Sequence, residues 1–251
     1  AVYGTVTKSA VATGADLVAY SGWSSSNYLK QPHNSSLALD STDSVTIMCW
    51  IKQASHNSTI QIIFGAGVMS SGQGRYLYTQ SGVPYLDTYG GAAGQSSTDI
   101  ADDTWHQLVG IYTPSGGYVY IDGILDSTPT FSSGYLDQSG DSDSTIGVDR
   151  NTTFPTNASL SLLRVSNSVP SAEQIKKMYE DEKVLFQESS KCTLYGSSDA
   201  VTALAYDDDE DTLYVGTSAG RSDFRGLRRI NNTTTAVTTA ISASNGLVAE
   251  E

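Results

Sequence analysis

The chain has 251 residues, with 14 basic against 27 acidic side chains and a net charge of −13. So acidic a surface excludes a duplex nucleic-acid partner, which needs a basic face to meet phosphates. No apolar run approaches the ~20 residues that cross a bilayer, and no basic amphipathic stretch suggests a helix lying on one, so no membrane insertion is expected. The length suffices for one large β-sandwich or two ordinary domains with a real core. The opening, Ala1 to Leu17, has no initiating Met and no charged or apolar leader region. It reads as the start of a piece cut from a longer precursor.

Period-two segments dominate. Val45 to Lys52 places Val45, Ile47, Cys49 and Ile51 on one face and Met48 and Trp50 on the other, a strand buried on both sides. Thr59 to Phe64 is a second β-branched run, closed by Gly65 and Gly67. Trp105 to Tyr112, a Thr113-Pro114-Ser115-Gly116-Gly117 turn and Tyr118 to Ile121 lead to Asp122-Gly123. That dipeptide tolerates positive φ, so the stretch reads as consecutive antiparallel hairpins. Short strands are expected at Ser144 to Gly147 and Leu160 to Val165. Many short strands between turns suggest an all-β sandwich.

One helix stands out, Ala172 to Glu180. Ser171 as N-cap and Gln174 three residues on form a capping box, and Ala172, Ile175 and Tyr179 make a packing stripe. Beyond residue 187 the expectation is a three-stranded meander: 200–206, an acidic turn Asp207 to Asp211, 212–217, then 224–230. A unit so small needs to dock on something larger or on copies of itself.

In this order, Tyr20-Ser21-Gly22, Asn27-Tyr28-Leu29, Met48-Cys49-Trp50-Ile51-Lys52, Trp105-His106-Gln107-Leu108-Val109, Val119-Tyr120-Ile121-Asp122-Gly123, Ile146-Gly147-Val148-Asp149, Leu163-Arg164-Val165 and the Ser171-Ala172-Glu173-Gln174-Ile175 helix start resemble the laminin-G-like, concanavalin A-like domains that include the pentraxins. The resemblance covers residues 18–186 and implies a two-sheet antiparallel jelly-roll sandwich with one short C-terminal helix. Residues 1–17 are then a linker or strand from an upstream region, and residues 187–251 a small β-meander extension for oligomerisation. The resemblance also implies a carbohydrate- or protein-binding module, in some members dependent on calcium. The Ser-rich Trp23 to Leu29 opening is similar to domains of tailed-bacteriophage virion proteins. The C-terminal part is similar to short meander tails of such proteins, and to a single β-propeller blade.

Catalysis on this architecture needs paired carboxylates on one strand face, and the Glu-x-Asp-x-x-Glu pattern is absent. Asp99, Asp102, Asp103, Asp141, Asp143 and Asp207 to Asp211 all sit in turns. His106 reads as structural, and His33 and His56 as loop residues. Two Asp spaced by one residue in a Gly-bounded turn suit a hard cation, so Asp141, Asp143 and Asp149 are the candidate Ca²⁺ ligands against a solvated acidic turn. Sugars stack on aromatic rings and bond Asp and Asn, which nominates Trp23, Tyr28, Tyr85, Asp87 and Tyr89 beside the Gly90 to Gly94 loop. That loop serves equally as a hairpin tip. Arg221, Arg225, Arg228 and Arg229 gather four of the 14 basic residues. Of these, Arg225, Arg228 and Arg229 are the candidate contact to a neighbouring subunit's acidic turn.

Cys49 lies in a buried strand pattern with no Cys/His spacing linking it to Cys192, so two separate buried thiols are expected rather than a disulfide. The Asn-x-Ser/Thr sequons at Asn34, Asn57, Asn151, Asn157, Asn231 and Asn232 are accounted for by composition alone. The expectation is a non-enzymatic virion or extracellular component, a tail fibre, spike or capsid fibre, whose sandwich binds host-surface carbohydrate. Its partners would be other virion subunits and copies of itself, a trimer foremost. The alternatives are a structural or decoration protein without sugar binding, and a polysaccharide-degrading hydrolase or lyase.

Overall fold

The computed structural model describes residues 1–32, 43–68, 73–88, 94–131, 143–191, 193–195, 200–237, 241–244 and 247–250. The chain divides into two compact units, residues 1–9 with 19–181, and residues 10–18 with 182–251. No helix among the described residues is long and apolar enough to cross a membrane.

The first unit is built from β1 (Val2–Tyr3), β2 (Thr7–Ala10), β3 (Val18–Ser21), β4 (Tyr28–Gln31), β5 (Val45–Lys52), β6 (Gln61–Val68) and β7 (Gln73–Gln80), followed by β8 (Val83–Asp87), β9 (Gly94–Gln95), β10 (Trp105–Thr113), β11 (Gly116–Ile121), β12 (Ile124–Ser127), β13 (Ser144–Ile146), β14 (Ser159–Ser166) and the helix α1 (Ala172–Glu182). A front sheet runs β1-β4-β13-β6-β7-β8-β9 and a back sheet β12-β11-β10-β5-β14-β3-β2, with every pairing antiparallel. Spatial neighbours far apart in sequence, such as β4 beside β13 and β5 beside β14, are the crossovers of a jelly roll.

Alternation decides what faces inward. Val45, Ile47, Cys49 and Ile51 enter the core with Leu108, Val119 and Leu160, meeting Ile63, Phe64, Leu77 and Leu86 of the front sheet. Burial pushes the Cys49 thiol up to about 12, so it stays protonated and inert. On the other face of the back sheet Met48, Val109, Ile111 and Tyr120 pack under Ile175 and Met178 of α1, and Trp50 stacks on Tyr179 at 5.7 Å. The capping box forms: Ser171 N donates to Gln174 Oε1 at 2.8 Å, and Gln174 N donates to Ser171 Oγ at 3.2 Å. Asp122 and Gly123 both take positive φ (52° and 77°) in the β11–β12 turn, as a primed hairpin turn requires.

Two sequence expectations need correction. β6 does not close at Gly65 and Gly67 but runs through them to Val68. The Tyr76 ring from β7 fills the space over Gly65, 3.2 Å from where a Cβ would stand, so the glycine marks a close approach within the strand. The second correction lies in the second unit.

There, residues 224–230 are not one strand. Gly226 takes φ 60° and turns the chain, giving β15 (Val201–Asp207), β16 (Thr212–Thr217), β17 (Gly220–Arg225) and β18 (Arg228–Thr233) in a four-stranded meander. A separate hairpin, β19 (Ile241–Ser244) and β20 (Leu247–Glu250), follows. Ala203 and Val237 form a small core with Ala205 and Tyr214. Asp16, from the stretch expected as a linker, accepts from Lys191 Nζ at 2.9 Å and Thr193 Oγ1 at 2.8 Å.

Candidate functional site

The outer face of the front sheet gathers the polar aromatic chemistry of the first unit. Leu29, Phe64, Leu77, Leu86 and Ile146 point into the core. By alternation, Tyr28 and Lys30 on β4, Thr145 on β13, Tyr76 and Tyr78 on β7, and Tyr85 and Asp87 on β8 share the opposite face.

Two tyrosine pairs stand on this face. Toward one edge, Tyr3 of β1 stacks on Tyr28 at 4.6 Å with the rings 3° from parallel. Next to them the Lys30 ammonium meets the Asp143 carboxylate at 2.5 Å. That hydrogen bond raises the Lys30 pKa against the opposing effect of burial, with the Tyr3 and Tyr28 hydroxyls adding to the rise. Toward the other edge, Tyr78 stacks on Tyr85 at 5.0 Å and 4°. Burial lifts the Asp87 pKa above the usual carboxylate range, opposed by the Thr88 N–H and the Tyr78 hydroxyl. Asp87 Oδ1 has no hydrogen-bond partner among the described residues. Between the pairs Tyr76 is fully buried, and burial drives its hydroxyl pKa well up. The arrangement can stack a flat apolar ring face and bond its polar rim.

Of the expected sugar contacts, Tyr28, Tyr85 and Asp87 lie on this face. Trp23 does not: it is 7% exposed, its Nε1 donates to the Ala158 carbonyl at 3.0 Å, and it serves the core. Tyr89 lies outside the described residues, as does Asp141 of the expected calcium set. Asp143 is held by Lys30, and Asp149, 2% exposed, accepts from Thr153 N at 2.6 Å. Among the described residues no group of three or more His, Cys, Asp or Glu side chains gathers as a metal site. Arg225, Arg228 and Arg229 sit on the β17–β18 hairpin of the second unit. Sequence reasoning missed Tyr3, Lys30 and Tyr78. Lys30 was within reach, because it follows Tyr28 by two residues and so shares its face.

At the other end of the sandwich His106 has partners the sequence did not name. Its Nδ1 lies 2.8 Å from Asp122 Oδ2, and its Nε2 lies 3.2 Å from Asp102 Oδ1 and 3.0 Å from Thr104 Oγ1. The bond to Asp122 raises the His106 pKa, which favours the imidazolium flanked by two carboxylates. An imidazolium is no general base, and the Thr104 hydroxyl donates to Asp102 at 2.8 Å. The cluster therefore locks the start of β10 to the β11–β12 turn.

A crevice of about 390 Å³ opens between the sheets, walled by Leu29, Val45, Phe64, Ile146, Leu163 and, in part, Arg75. Its walls are too apolar to satisfy a polyol, whose hydroxyls each need a partner.

Residues 24–176 match the family model Laminin_G_3, described as the concanavalin A-like lectin/glucanases superfamily. No curated protein matches the chain. Among solved structures the fold is similar to the binding domain of Paraclostridial Mosquitocidal Protein 1, at 13% identity and a TM-score of 0.59, covering 94% of this chain and 62% of that one. It is similar to the receptor binding domain of botulinum neurotoxin C/D mosaic serotype, at 13% identity and a TM-score of 0.56, covering 92% and 59%. Domain 4 of AbnA, a GH43 extracellular arabinanase from Geobacillus stearothermophilus solved with arabinotriose, is similar at 14% identity and a TM-score of 0.53, covering 70% and 82%. The chain thus spans about three fifths of the length of the two toxin domains. With more than half of its residues matched, the chain belongs to the Laminin_G_3 family of the concanavalin A-like lectin/glucanases superfamily.

Proposed function

We propose that the first unit is a non-enzymatic carbohydrate-binding module whose ligand lies on the outer face of the front sheet. The observation that carries this reading is the Tyr3–Tyr28 stack beside the Lys30–Asp143 ion pair. Tyr3 is 41% exposed, so its ring offers a platform to the CH face of a sugar, while Lys30 and Asp143 bond its hydroxyls. Tyr85, half-buried on the neighbouring part of the face, extends the surface for a longer chain. The arabinotriose complex of domain 4 of AbnA, on a similar fold, supports the class of ligand.

The same face argues against hydrolysis. Asp143 and Asp87 are separated by the strands β13, β6, β7 and β8, three spacings or roughly 14 Å. A pair of glycosidase carboxyls stands about 5–9.5 Å apart. The setting we infer is a virion fibre or spike holding host-surface glycan. Support for it comes from the Ser-rich opening and from the C-terminal strands suited to assembly. A calcium ion held by Asp141, Asp143 and Asp149 remains part of the proposal only with Asp143 released from Lys30.

Affinity electrophoresis through native gels cast with arabinan and other soluble polysaccharides tests the module. Retardation by at least one polysaccharide, without release of reducing ends and weakened at least fivefold in Tyr28→Ala, is the expected result. Free migration in every gel overturns the reading, and release of reducing ends makes the protein an enzyme.

A further inference from the structure

The second unit carries two exposed surface patches of opposite charge at one end of its sheet. The first surrounds the β15–β16 turn. Asp208, Asp209 and Glu210 are exposed there, and the adjoining strand exposes Leu204 (62%) and Tyr206 (54%). The second surrounds the β17–β18 turn. Arg225 and Arg228 face each other directly across the strand pair, both exposed, with Leu227 and Ile230 exposed beside them. Like charges directly opposite on a ladder are destabilising. Among the described residues no ion pair neutralises Arg225 or Arg228, nor Asp208, Asp209 or Glu210.

In the strand order β15-β16-β17-β18 both turns lie at the same end of the sheet but toward opposite edges. Arg225 reaches only the first residue of β16, its Nη2 3.4 Å from Thr212 Oγ1, and forms no ion pair with Asp208, Asp209 or Glu210 among the described residues. A second copy placed side by side brings the basic turn of one sheet to the acidic turn of the next, with apolar side chains behind each. The contact is head-to-tail, which propagates or closes into a ring.

Ala200-Val201-Thr202 recurs as Ala236-Val237-Thr238 after 36 residues, and an antiparallel hairpin follows each. Val237 already packs on Ala203, and β19 lies alongside β15.

We infer that the second unit is a self-assembly module: the Asp208–Glu210 turn with Leu204 and Tyr206 receives the Arg225–Arg228 turn with Leu227 and Ile230 of a second copy of this chain. Both charged turns are solvent-exposed, so reversing them leaves the fold intact. The test is multi-angle light scattering of the 251-residue chain across a dilution series at low and high salt. The wild type should associate, more tightly at low salt. Arg225→Glu with Arg228→Glu should weaken the association at least tenfold, as should Asp208→Lys with Asp209→Lys. Mixing the two double variants, each with a wild-type melting temperature, should restore a species that neither forms alone. A chain of monomer mass at every concentration and salt overturns the inference. So does association that neither double variant weakens, or a mixture that stays dissociated.

Discussion

The Nδ1 of His106 and the carboxylate of Asp122 lie 2.8 Å apart, so the first strand residues of β10 are tied to the turn that ends β11. The pKa of His106 is raised from 6.5, first by that hydrogen bond and in spite of burial, with Asp102 adding to the rise. Because the folded state holds the proton more tightly than the unfolded chain, protonation stabilises the fold. The contribution is complete below the unfolded value near 6.5 and is lost as pH climbs through the raised folded value. Thermal melts should therefore show wild type losing stability between pH 6 and the mildly alkaline range relative to His106→Gln. Parallel pH profiles for the two proteins would refute the assignment.

The carboxylates at the same end act in the opposite sense. Asp99 is held below 3.8, first by its hydrogen bond to His56. Asp102 is lowered as well, its burial outweighed by bonds from Thr104 and His106. Their stabilisation is present above the unfolded carboxylate value and lost as pH falls through the folded one. Asp102→Asn should flatten the acid limb of the stability profile. An acid limb of unchanged steepness counts against this origin.

Trp23 and Gly147 form a second dependency. Gly147 adopts φ 89°, and a Cβ there would stand 2.2 Å from the Trp23 ring. Trp23→Ala should destabilise the first unit by about 3–5 kcal/mol through the cavity it leaves. Gly147→Ala should destabilise it by roughly 2 kcal/mol or more, from overpacking and the left-handed backbone. Urea denaturation reads both. Trp23→Ala with wild-type stability would mean the indole is not a core group.

The helix cap gives a third measurement. Ser171→Ala removes the acceptor for Gln174 N and should cost about 1 kcal/mol, with Gln174→Ala smaller. If the double variant loses no more than Ser171→Ala, the two groups act as one box. Simple additivity would show two independent contacts.

On the outer face of the front sheet, Tyr28→Ala should lower retention by polysaccharide at least fivefold, corresponding to about 1 kcal/mol of ring stacking. Lys30→Met should also weaken it, because it removes one hydroxyl partner and breaks the ion pair with Asp143. Neither change touches the core, so both variants should melt close to wild type. A Tyr28→Ala protein that binds as well as wild type would move the site to Tyr85.

Local chemistry determined much of this protein. Val45 to Lys52 alternates because a strand's side chains alternate, and Asp122-Gly123 turns because both residues accept positive φ. The Ser171–Gln174 box is a contact between residues three apart, so it was legible without any fold. The missed elements depend on distance along the chain. β7 and β8 hold Tyr76, Tyr78, Tyr85 and Asp87 in a pattern whose inner and outer faces are set by which sheet covers them. Gly65 looked like a strand end, yet it marks where Tyr76 of another strand lies close. Trp23 and Tyr28 read alike as aromatic residues near a polar turn. Only the register of β1, β4 and β13, and the Ala158 carbonyl 135 residues away, sent one ring into the core and left the other stacked on the surface. Pairing across a sheet joins residues with no local signal for one another, so only the tertiary structure brought Tyr3 and Tyr78 to the Tyr28 and Tyr85 that the sequence nominates.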